Sequence, residues 1–252
     1  MAEVWLATDN DHHSYALRRL HDDLQDDSTA RKRFVQGCEI LARVHEHENI
    51  VGYHEHGKIE GANFLAMEFV EGANLKLMLH DQDPVLHENV SQILIDTVSA
   101  LEHVHECGFM HLDFKPENVL VTRNAAVRLA DFDLSQPIPK SPKKYDKNPG
   151  TPGYMAPEQL SGGAIDQRVD IWAFGVSAYE LLAQQKPFPG ESAAEILNLQ
   201  KDRSNFLTPR QINPSIPEGM ESTILKCINL HPDTRPFTMR EVADEVRASL
   251  YA

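Results

Sequence analysis

Positive charge is scarce in this sequence. Among 252 residues, 24 are Lys or Arg against 38 Asp or Glu, a formal net charge of −14. That balance argues against a nucleic-acid partner, which needs a basic face, and favours solubility. Cysteine is scarcer still: Cys38, Cys107 and Cys227 are too scattered for a disulfide framework or a zinc pattern. A reducing, cytoplasmic setting is therefore expected. Long apolar runs are missing as well. The best candidate, residues 171–183, is interrupted by Ser177 and Glu180 and falls short of the roughly 20 residues that span a bilayer. No membrane segment is expected in this chain, and no basic-then-apolar signal pattern opens it. One local reversal of charge occurs at residues 140–147, with four lysines against one aspartate. A solvated loop is the plain reading, and contact with an acidic partner is the alternative.

What is present is the composition of an ordinary globular chain, 41% hydrophobic and 25% charged, with core enough for one large domain or two lobes. Residues 2–7 alternate as a strand, and after a polar turn residues 15–20 read as its hairpin partner. Phe34, Val35, Cys38, Leu41 and Ala42 then share a helical face, with Ser28 as the expected N-cap and Gly37 as a weak point. Residues 50–56 and 63–70 complete a small, mostly antiparallel sheet. Past a hinge at residues 69–73 the pattern turns helical. A short helix covers 75–79, and Val90, Ile93, Leu94, Val98, Leu101 and Val104 mark a long one stopped at Gly108. Two short strands at 119–121 and 127–129 follow, then a Pro-rich irregular stretch over 137–157. Helices are expected at 166–183, 192–199, 219–230 and 238–251. His45, His47, His54 and His56 form two H-x-H pairs; surface histidines explain them better than a metal site, since no recognised ligand spacing accompanies them.

The chemistry concentrates in HLDFKPENVL, residues 111–120, and in LADFDL, residues 129–134. Asp113, Lys115 and Asn118 crowd the end of an apolar stretch, and Asp131 follows in the second element. A phosphate-transferring site needs this set: a carboxylate beside the accepting hydroxyl, a cation near the moving group, and oxygen ligands for Mg2+.

These segments resemble the Ser/Thr protein kinase family, in particular its bacterial, eukaryotic-like members. HLDFKPENVL looks like the catalytic loop and Asp131-Phe132-Asp133 like the magnesium-binding tripeptide. GTPGYMAPE, residues 150–158, looks like the end of the activation segment, DIWAFG like the start of the central helix, and Arg235 like the arginine that pairs with Glu158. The resemblance covers nearly the whole chain and implies an α+β, two-lobed fold: a β-rich N-lobe over 1–70 and a helical C-lobe over 71–252. It implies that Asp113 accepts or orients the substrate hydroxyl proton and that Lys115 steadies the phosphoryl charge. Asn118 and Asp131 would hold Mg2+. Val4, Ala16 and Leu120 would sandwich the adenine of ATP, Met67 would guard the back of that pocket, and the backbones of Glu68 and Val70 would bond the base. Thr151 would bridge to Asp113 and Lys115. The implied partner is a protein substrate bearing Ser or Thr.

Four departures from the family pattern accompany it. The start, Met1 to Val4, resembles the tail of the glycine-rich loop without its glycines, as a truncated or late-called start would give. Arg18 stands for the strand lysine that meets the phosphates, and its planar fork is bulkier than an ammonium. Gly37 falls where the partnering helix glutamate belongs. Asp133 replaces a glycine, adding a charge expected either to disfavour nucleotide or to serve as a further metal ligand. Leu112, for arginine, makes phosphorylation of Ser141 or Thr151 a less expected on-switch. The leading expectation is a Ser/Thr protein kinase using ATP and Mg2+; the alternative is a pseudokinase that scaffolds a nucleotide or a partner.

Overall fold

The computed structural model describes residues 2–250. Met1 and Tyr251 lie outside them, so the expectations for the start of the chain and for the last residue of the final helix have no structural counterpart.

The expected hairpin forms from β1 (Ala2–Thr8) and β2 (Ser14–Leu20). Next comes α1 (Ser28–Val44), and then β3 (Tyr53–Ile59) and β4 (Ala62–Glu68). The four strands make one antiparallel sheet in the order β1-β2-β4-β3. Ser28 does not cap α1. The cap is Asp27, whose carboxylate accepts from the backbone N–H groups of Thr29 and Ala30, as an N-cap carboxylate should. Residues 50 and 51 do not join β3, because the C-lobe claims this stretch: Val51 N donates to Leu129 O and Leu129 N to Asn49 O, while the Gly52 carbonyl accepts from Glu68 N of β4. This crossing pair stitches the lobes together behind the cleft.

The second lobe begins with β5 (Gly72–Asn74), α2 (Leu75–His80) and α3 (Pro84–Glu106). Helix α3 starts a turn and a half before its apolar periodicity, because Asp83 caps it and Pro84 opens it. Short strands β6 (Phe109–Met110), β7 (Val119–Thr122), β8 (Val127–Leu129) and β9 (Gln136–Pro137) frame the two chemical segments. Strands β5-β7-β8 form one small sheet and β6-β9 another; β5, β6 and β9 are too short for a periodicity to reveal. The rest is helical: α4 (Pro157–Leu160), α5 (Arg168–Ala183), α6 (Ala193–Lys201), α7 (Pro209–Ile212), α8 (Glu218–Cys227) and α9 (Met239–Leu250). Helix α5 is buried almost all round, from Val169 to Ala183, and the C-lobe packs about it. The α+β, two-lobed architecture is the one expected. Among the described residues no helix is long and apolar enough to cross a membrane.

Candidate functional site

The loop 111–118 between β6 and β7 is held from below by one buried carboxylate. Asp170, in the first turn of α5, accepts the backbone N–H of His111 at 2.7 Å and of Leu112 at 2.8 Å, and His105 Nε2 lies 2.9 Å away. Burial alone would push the Asp170 carboxyl up; the His105 hydrogen bond and the neighbouring charges and N–H groups overcome it and hold the carboxyl below its ordinary range. These bonds keep Leu112 at φ 66°, in the left-handed region that a branched side chain rarely adopts. The strain turns the chain so that Leu112 points into the core and Asp113 out of it.

Asp113 sits in a closed triangle. Lys115 Nζ donates to Asp113 Oδ2 and to Thr151 Oγ1, each at 2.8 Å, and the Thr151 hydroxyl donates to Asp113 Oδ1 at 2.7 Å. The Asn118 amide donates to the Asp113 backbone carbonyl at 2.8 Å, which turns its amide oxygen the other way. The expected bridge from Thr151 is therefore present, and it commits the Thr151 hydroxyl to the loop.

The second segment is braced by aromatic packing. His111, fully buried, sits with Nε2 3.2 Å from the Ala130 carbonyl and its ring 5.0 Å from that of Phe132. Asp131 takes φ 64°, a second left-handed residue. Its Oδ1 is buried with no hydrogen bond among the described residues. Glu117 Oε2 is in the same state.

Between the lobes lies a cavity of about 270 Å³. Val4, Arg18, Met67, Asn118 and Asp131 line it, so the structure brings these five predicted residues together. Asp113 and Lys115 stand beside it, joined through Asn118, which touches both. Ala16 is buried in β2, in register with Met67, and does not line this cavity. Leu120 on β7 is also outside its lining, and Val70 borders a separate cavity at the hinge with Gly72 and Val121. The Glu68 carboxylate braces the hinge, accepting from Arg128 Nε at 2.9 Å and from the Gly52 N–H at 2.9 Å. Sequence reasoning missed Glu117 as a cavity residue; its adjacency to Asn118 was the available signal.

Three of the four departures meet: Arg18 and Gly37 of the N-lobe both touch Asp133 of the C-lobe. Both terminal nitrogens of Arg18 donate to Asp133, at 2.7 Å to Oδ1 and 2.6 Å to Oδ2. Asp133 is thus neither an open metal ligand nor an unbalanced charge, as the sequence had suggested. Burial works against the Arg18 charge, but Asp133 and then Asp131 more than restore it, raising its pKa. Gly37 lies directly against Asp133. Elsewhere the expected pairs form: Arg235 donates twice to Glu158, at 2.7 and 2.9 Å. Among the histidine pairs, His54 packs edge-on to Tyr15 and His56 bonds the Tyr53 hydroxyl, which leaves both with partners other than a metal.

A small sheet, a helical lobe and a cleft whose floor carries Asp113, Lys115, Asn118 and Asp131 define the protein kinase class. The family model described as Protein kinase domain matches residues 1–246, and the chain belongs to that family. It is 32% identical over its whole length to a probable serine/threonine-protein kinase of Streptomyces coelicolor, covering 38% of that protein. It is 29% identical to the serine/threonine-protein kinase PknB of Mycolicibacterium smegmatis, over 98% of the chain and 41% of the relative. It is also 29% identical to the serine/threonine-protein kinase PrkC of Bacillus subtilis, over 100% of the chain and 39% of the relative. The chain thus spans about two fifths of the length of these relatives.

Proposed function

We propose that this chain is the catalytic module of a Ser/Thr protein kinase that uses ATP and Mg2+. The observation that carries the reading is the Asp113–Lys115–Thr151 triangle beside two oxygen-bearing side chains, Asn118 and Asp131. The donor set fits a hard cation: an amide oxygen turned toward the cleft, and a carboxylate oxygen buried without a hydrogen bond. When bound, Mg2+ would neutralise charge on the phosphates of ATP. Asp113, anchored on one oxygen by Thr151 and on the other by Lys115, is placed to orient a substrate hydroxyl and take its proton. Lys115 is the cation nearest that hydroxyl. Val4 and Met67 offer apolar surface for a base, with Ala16, Leu120 and the backbones of Glu68 and Val70 behind and beside them.

The protein substrate is supported by the segment 150–158, which Thr151 fastens to Asp113, and by the kinases named among the relatives. Nothing in the comparisons favours the scaffold alternative. The free thiols suit a reducing, cytoplasmic compartment. Labelled ATP, Mg2+ and a generic basic protein should yield transfer that vanishes in Asp113→Asn. Equal transfer by this variant, or none by the unaltered chain, would overturn the reading.

A further inference from the structure

Arg18, Gly37 and Asp133 come from three different elements and meet at one buried point. Arg18 lies on β2, Gly37 in the middle of α1, and Asp133 just after β8. Three side chains surround the Arg18 guanidinium among the described contacts. It donates to both Asp133 oxygens, its Nη2 stands 3.4 Å from Asp131 Oδ1, and its Cζ is 5.5 Å from the centre of the Phe34 ring on α1. Helix α1 is tied to the same segment twice more. Gln36 Nε2 donates to the Ser135 carbonyl at 2.7 Å, and a Cβ at position 37 would fall 2.7 Å from Asp133 Oδ1 and 2.9 Å from its Cα. Only glycine lets the helix approach this closely.

The competing acceptor is what gives this cluster a role. Asp131 Oδ1 is one of two buried carboxylate oxygens without a hydrogen bond among the described residues, and Arg18 already stands at ion-pair distance from it, 3.4 Å. A guanidinium prefers a bidentate carboxylate to a single long contact. With Asp133 in place, Arg18 has that bidentate partner and leaves Asp131 facing the cleft. Without Asp133, the guanidinium would close the remaining distance to Asp131 and take the oxygen that a metal would need.

We propose that Asp133 is a positioning residue that keeps Arg18 off Asp131 and, with Gly37 as its seat, clamps α1, β2 and residues 131–135 into one unit. This rests on the kinase reading given above. In this chain the carboxylate that holds the N-lobe cation comes from the C-lobe segment, and helix α1 contributes a gap rather than a charge. Arg18, Gly37 and Asp133 are therefore one linked arrangement. They should tolerate change together and resist it singly.

The test moves the carboxylate. Asp133→Gly strands the Arg18 charge, and Gly37→Glu alone collides with Asp133. Together they remove the Oδ1 contact and offer Arg18 a carboxylate from the helix side, with α1 giving way slightly to the Cα and N of residue 133, 2.9 and 3.0 Å from the new Cβ. The affinity of each form for ATP is measured with Mg2+ and with EDTA, and the ratio reports the metal-dependent part of binding. Asp133→Asn and Asp133→Gly are expected to lower that ratio about tenfold, and the Gly37→Glu, Asp133→Gly pair to bring it back to within about threefold of the unaltered chain. A merely structural loss would weaken both conditions alike and leave the ratio unchanged. An unchanged ratio in Asp133→Asn overturns the proposal. Hydrogen exchange separates it from the kinase reading. Protection of residues 131–135 should fall in Asp133→Asn and return in the pair even if the unaltered chain binds no nucleotide. Protection that stays unchanged in Asp133→Asn would also overturn it.

Discussion

The two halves of the cleft are built on opposite plans. On the C-lobe side the ionic groups lie on short loops, and buried acceptors fix the backbone beneath them. Asp170 holds His111 and Leu112, Asn118 holds the Asp113 carbonyl, and His111 supports the second segment through Ala130 and Phe132. Asp113, Lys115 and Asn118 there are neighbours in sequence, though Asp170 and Thr151, which brace them, are not. On the N-lobe side nothing is local. Arg18, Gly37 and Asp133 are separated by as many as 115 residues and gain their meaning only by touching. A site assembled from neighbours in sequence can be read as a motif. One assembled from distant residues cannot, and each of its members looks like a defect when read alone.

The sharpest way to test the first half is to remove its central group. Asp113→Asn preserves shape and can still meet Lys115 or Thr151, but it cannot take a proton. A positioned general base is worth about 10²–10⁴-fold, so kcat for transfer to a protein should fall by that factor with little change in the melting temperature. A fall of less than tenfold would mean that Asp113 serves the loop and not the reaction. The second largest effect concerns the support beneath segment 150–158. The Arg235 side chain is fully buried and Glu158 is its bidentate partner. Glu158→Gln leaves a buried guanidinium uncompensated, at a cost of about 3–5 kcal/mol. Denaturant unfolding should show it as a lower midpoint with an unchanged slope. A shift below about 1 kcal/mol would put this pair among the inconsequential surface bridges.

Legibility followed the same division. The loop 111–120, the paired Glu158 and Arg235 and the Thr151 bridge were readable through the family resemblance, because each sits in a contiguous motif. The lobe order and the longer helices were readable from periodicity. Element ends were not. Asp27 and Asp83 cap helices whose apolar faces begin later, and residues 50 and 51 leave the N-lobe sheet because β8 offers this stretch of backbone a partner. Tertiary bonding of this kind leaves no local trace. Of the residues expected around adenine, Val4 and Met67 line the cavity, whereas Ala16, Leu120 and Val70 lie outside its lining. The Arg18–Asp133 pair was hidden for a plainer reason. Charge and size can be read at each position, but which carboxylate a cation selects is decided by the fold.

Gly37 gives the smallest of these effects and the clearest sign. Judged by helix propensity, an interior glycine costs a helix about 1 kcal/mol relative to alanine, so Gly37→Ala should stabilise α1. Judged by the clamp, the added methyl would meet not only the Asp133 carboxylate but its backbone, at 2.7 and 2.9 Å. Backbone on the far side of a buried contact cannot swing aside as a long side chain can, and overpacking of this kind costs about 1–3 kcal/mol. The two contributions oppose each other and the steric one is larger, so Gly37→Ala should be net destabilising by up to about 2 kcal/mol. Chemical denaturation measures this directly. A second measurement isolates the carboxylate's share: Asp133→Gly removes the Oδ1 contact but keeps the Cα and N of residue 133, 2.9 and 3.0 Å from the new Cβ, so the same Gly37→Ala change should cost less there yet stay destabilising. A Gly37→Ala change that stabilises the chain in either background would show that nothing across the gap resists the methyl and that α1 follows its own propensity alone.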